Sequence, residues 1–107
     1  MASRAYIADL AGGTATVTIQ IQGTQTLKQW DLSWNNVAAG KIELSMSASS
    51  QIGTAQPDSN VLARVSCGAN TTGQSVAQIP VRAPVKAFQN IYIHQTGAGN
   101  LGTSILN

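Results

Sequence analysis

The amino-acid sequence predicts one all-β domain spanning residues 1–107, a small sandwich of about eight short antiparallel strands. Three observations lead there. Apolar and polar residues alternate with a period of two in segment after segment, the pattern of a strand that buries one face. Turn-forming Gly, Asn, Asp and Pro interrupt those segments at roughly the 8 to 12 residue spacing of a sandwich or barrel. No segment carries a sustained helical apolar stripe, and a chain of 107 residues has room for one core.

Arg4 to Leu10 is the first extended candidate, followed by the Gly12-Gly13 turn signal and by Thr14 to Gln22. In the latter, Ala15, Val17, Ile19 and Ile21 alternate with Thr16, Thr18, Gln20 and Gln22, and the residue types are strand formers. The two segments are expected to make a hairpin. Leu27 to Trp34 continues the pattern, with Trp30, Leu32 and Trp34 on one face. Asn35-Asn36 ends it, and Val37-Ala38-Ala39 has the length of one short helical turn. Lys41 to Ala48 places Ile42, Leu44, Met46 and Ala48 on one face and Lys41, Glu43, Ser45 and Ser47 on the other.

Ser49 to Asn60, with Gly53 and Pro57-Asp58, is the longest expected loop, and Gln56 and Asp58 are its candidate contact residues. Val61 to Cys67 alternates again. Ser75 to Val81 is interrupted by Pro80 and bounded by Pro84, which suits an edge strand or a crossing between sheets, because proline has no N–H for a central ladder. Val85 to Gln95 and Leu101 to Leu106 complete the set. A jelly roll is favoured over an immunoglobulin-like Greek key or a closed barrel.

Charged residues make up 9% of the chain, far below the ~25% of ordinary domains. The net charge is +2, and Arg4, Lys28, Lys41, Arg64, Arg82 and Lys86 occur singly, so no basic run offers a phosphate track and nucleic acid is a disfavoured partner. The single cysteine, Cys67, allows no intrachain disulfide. Met-Ala-Ser-Arg-Ala-Tyr lacks the apolar run of a secretory signal, and no segment approaches the ~20 apolar residues of a membrane span.

Catalysis is not expected. The one histidine, His94, lies on the polar register opposite Ile91 and Ile93 and reads as a surface or partner-contacting residue. Cys67 lies on the apolar register, where a thiol is inert. One His, one Cys and the scattered Asp9, Asp31, Glu43 and Asp58 supply no metal-ligand spacing, no paired-carboxylate site and no cofactor site, so a bound small molecule is not expected either. Gly97 to Gly102 matches G-x-G-x-x-G literally but lacks the following helix of a dinucleotide fold. Trp30 and Trp34 share one face with Leu32, which favours core. As surface residues they would form, with Tyr92, a stacking platform for sugars or bases.

A charge-poor β domain with neutral Thr, Gln, Ser and Asn faces is suited to subunit contacts made without desolvating charge. Together with the Ile91-Tyr-Ile-His-Gln-Thr-Gly97 strand and turn, the chain resembles the structural proteins of bacteriophage virions: small capsid, vertex, decoration or spike-base subunits. The resemblance is one of overall character and carries no diagnostic motif. It implies self-association and docking onto other virion subunits, no enzymatic activity, synthesis in the host cytoplasm and a final location in the virion. The chain is short for such a jelly roll and lacks a basic arm. The alternatives are a carbohydrate- or receptor-binding sandwich using Trp30 and Trp34, and a single-strand nucleic-acid-binding barrel with Tyr6, Trp30, Phe88 and Tyr92 along one basic groove.

Overall fold

The computed structural model describes residues 4–10, 13–36, 38–97 and 101–107, with the side chains of Asn36, Thr71, Gln74 and Leu101 left aside. Among them are eight strands: β1 Tyr6–Leu10, β2 Ala15–Gln20, β3 Gln25–Asn36, β4 Gly40–Ser45, β5 Val61–Cys67, β6 Asn70–Val85, β7 Asn90–Thr96 and β8 Leu101–Leu106. They form two four-stranded antiparallel sheets, one in the order β1-β8-β3-β6 and the other β2-β7-β4-β5. The all-β sandwich predicted from alternation is therefore the observed fold. No helix among the described residues is long and apolar enough to cross a membrane.

The pairing is nested. β1 pairs with β8, β2 with β7, β3 with β6 and β4 with β5, so partners are drawn inward from the two ends of the sequence. Additional β3–β8 and β4–β7 ladders join the pairs into sheets. The expected hairpin of the first two segments does not form: β1 lies in one sheet and β2 in the other. A short link containing Gly13 at φ 80 fits a crossing between sheets as well as a tight turn. The helical turn expected around Ala38 and Ala39 is absent there, and Val37 lies outside the described residues.

The inner faces interdigitate into one core. Leu27, Trp30, Leu32, Trp34 and Leu106 come from the first sheet and Ile19, Ile42, Leu44, Ile91 and Ile93 from the second. Each fully buried aliphatic side chain contributes about 1.5–3 kcal/mol. Trp30 is the largest, and its indole Nε1 donates to Ser104 Oγ at 2.8 Å, so the ring is buried without an orphaned donor. Gly102 makes the β3–β8 contact possible, because a Cβ there would stand 2.9 Å from Trp34 Cα and closer still to Ser33 O. Gly97 leaves β7 at φ 105 with Gly40 Cα 2.6 Å from where its Cβ would be. These two glycines of the G-x-G-x-x-G run thus serve a strand end and a strand–strand approach; residues 98–100 between them lie outside the described residues.

Candidate functional site

The register of the second sheet aligns four polar residues in one row on its outer face: Thr16 on β2, His94 on β7, Glu43 on β4 and Arg64 on β5. The segment after β4 folds back over this row. Met46 N–H donates to Asn60 O at 2.8 Å at the base of the loop, and Gln51 and Asp58 bind one another twice, at 2.8 and 2.9 Å. The Glu43 side chain is fully buried beneath it. Its Oε1 accepts from Gln51 N at 3.0 Å, and its Oε2 pairs with Arg64 Nε at 3.3 Å. The Arg64 guanidinium then donates to the main-chain carbonyls of Thr54, at 2.8 Å, and Gln51. One buried carboxylate and one arginine fork fasten the middle of the loop to the sheet.

His94 is also buried under this roof, which corrects its expected surface position. Its Nε2 lies 2.8 Å from Ser47 O, which can only accept, so Nε2 carries a proton. Nδ1 is 2.9 Å from Thr16 Oγ1, whose hydroxyl donates to it when the ring is neutral. Tyr92, half-buried two residues away, runs parallel to the imidazole with centroids 6.1 Å apart. A hydroxyl on an imidazole is the beginning of a nucleophile–base pair, but the other nitrogen holds the loop, and Glu43, the row's carboxylate, is spent on Arg64 and Gln51. The row acts as a latch.

Asp58 is fully exposed, and hydrogen bonds from the Gln51 side chain and the Asn60 N–H hold its carboxyl below the ordinary value of 3.8. Gln56 is exposed beside it, so both loop candidates stand at the surface. Trp30 and Trp34, named as contact candidates, are core residues and present no platform. Tyr6 and Trp30 are buried, Tyr92 is half-buried on β7 and Phe88 is exposed in the turn after β6, so the four aromatics do not line one groove. Cys67 is buried, and no three His, Cys, Asp or Glu side chains among the described residues are grouped to hold a metal ion.

Two surface features escaped the sequence. The outer face of the first sheet carries the row Ile7, Ile105, Asp31, Gln78 and, beside it, Asp9, Thr103, Ser33, Val76. Ile7 is 72% and Val76 67% exposed, and alternation had assigned neither to a surface patch. Phe88 is the second feature, 67% exposed and held at φ 67 in the turn after β6. Its N–H donates to Ile21 O at 2.6 Å, Ile21 N–H returns to Gln89 O at 2.8 Å, and Lys86 N–H donates to Gln89 Oε1 at 2.9 Å. Lys86-Ala-Phe-Gln contains no Gly or Asn to announce a positive φ. Compared with known proteins, the chain matches no family model, no curated protein and no solved structure.

Proposed function

We propose that the chain is a structural subunit of a large protein assembly, of the bacteriophage capsid-associated kind, acting by self-association and docking in the virion. The observation that carries this reading is the inequality of the two outer faces. The second sheet is roofed by its own loop, whereas the first presents Ile7, Val76 and half-buried Ile105 among Thr, Ser and Gln side chains and the two carboxylates Asp9 and Asp31. Large apolar side chains displayed on one sheet face are suited to a protein contact. The edge strand β6 carries Pro80 and Pro84, which remove edge donors and disfavour indiscriminate strand addition, so contact by this face is favoured over contact by that edge.

The nested strand order supports the jelly-roll reading over an immunoglobulin-like key, since β1 neighbours β8 in place of β2. The test is light scattering and negative-stain microscopy of the purified protein, alone and made together with its genomic neighbours. Ring, shell or stable hetero-complex formation is expected, and Ile7→Lys with Val76→Lys dissolves it while leaving the circular dichroism unchanged. A protein that stays monomeric at high concentration and captures no neighbour refutes the proposal.

A further inference from the structure

Four of the six cations gather at one end of the first sheet. Thr26 on β3 faces Pro84 on β6 across the ladder, and the register slips between Leu27 and Gln29. At this bulge Lys28 N and Gln29 N both donate to Asn107 O, at 2.6 and 2.9 Å, so two successive side chains face outward where regular alternation would turn one of them in. Lys28 thereby joins Arg82 in a hollow of about 580 Å³ with Pro80, Val81 and Thr26. It also joins Arg4 in an adjoining hollow of about 380 Å³ with Thr26, Gln29 and Asn107. Lys86 follows directly on Val85 at the same sheet end.

These cations are exposed and unspent. The one ion pair among the described residues is Arg64–Glu43, on the other sheet, and the hydrogen bonds of Arg4 run through its main chain to Gln25. Asp31, the acid on β3, accepts from Gln29 Nε2 at 2.7 Å. In a chain with only six Lys and Arg, three of them line two hollows that share Thr26 and Lys28, which concentrates positive charge there. We propose that this end of the first sheet docks an acidic polypeptide segment of a neighbouring subunit. Arg4 and Arg82 present guanidinium forks to its carboxylates, Lys28 lies between them, and Pro80 and Val81 receive an intervening apolar side chain. A polypeptide is favoured over nucleic acid because no aromatic ring lines either hollow to stack a base, and too few cations are present for an extended phosphate track.

Naming the partner a subunit rests on the assembly reading; the chemistry of the surface does not. The test is fluorescence anisotropy of the full chain with a labelled peptide of alternating Glu and Val, beside a labelled mixed-sequence single-stranded oligonucleotide. Peptide binding is expected to weaken at least ~10-fold between about 50 and 500 mM NaCl and by a similar factor in Lys28→Glu with Arg82→Glu. Lys41→Glu, on the other sheet, leaves it unchanged. Should the double reversal fail to fold, Lys28→Gln alone is expected to lower affinity by about threefold. Absence of salt-sensitive peptide binding, equal loss in Lys41→Glu, or tighter binding of the oligonucleotide overturns the proposal. Peptide binding by a protein that remains monomeric and partnerless overturns the assembly reading alone.

Discussion

Replacing Arg64 with Met keeps most of the side-chain stem and removes the charge. Glu43 is then left fully buried with a single donor, Gln51 N, while the carbonyls of Gln51 and Thr54 lose their partner. Removing one member of a buried ion pair costs about 3–5 kcal/mol, because the remaining charge stays desolvated. The Arg64 side chain is 33% exposed, so water reaches the site once the guanidinium has gone, and the expected loss falls to about 2–3 kcal/mol. For a domain of this size that is a fall in Tm of about 10 °C. Urea denaturation followed by circular dichroism measures it, and amide hydrogen exchange locates it at Gln51. The pair Glu43→Met with Arg64→Met is expected to recover at least ~1 kcal/mol relative to the sum of the single changes, since no buried charge remains. A single-variant loss below ~0.5 kcal/mol, or strict additivity, would refute the latch.

Three further outcomes are expected. Gly102→Ala, which drives a Cβ into the main chain at Ser33 and Trp34, lowers stability by at least ~1–3 kcal/mol in the same denaturation assay. Both tryptophans emit at short wavelength and resist acrylamide quenching, with no change on adding sugars, because both rings are buried. Asp58 titrates below 3.8; since its folded pKa is lowered, its contribution is present above the unfolded value and is lost as pH falls through the folded one. In an NMR titration the Gln51 and Asn60 amide signals follow that midpoint, and Asp58→Asn abolishes the response.

The alternation of β2 and β3 was legible because each has one wet and one dry face. In β4 the alternation was equally legible but the burial was not, since Glu43 and Ser45 are as buried as Ile42 and Leu44. A period of two tells which residues share a face but not whether that face meets water, and the roof over this one is made by residues distant from β7. That is why His94 was placed on the correct side of its strand and wrongly in solvent. The row joining Thr16, His94, Glu43 and Arg64 depends on the register of three ladders, which no local pattern encodes. For β6, Pro80 and Pro84 narrowed the choice to an edge strand or a crossing between sheets, and the strand lies at the edge.

The nested pairing also prescribes an order of events. Of the paired strands only β4 and β5 are consecutive in sequence, joined by residues 46–60, while Tyr6 must find Leu106 from the far end of the chain. Closing the outermost pair first would cost the most loop entropy, whereas each inner pair already formed shortens the loop that the next must close. The chain therefore zips from its middle outward, and the Glu43–Arg64 latch, which clasps that innermost hairpin, acts at the start. Its loss is expected to slow refolding as well as hasten unfolding, and to leave the outer strands unpaired for longer, with their edges open to aggregation.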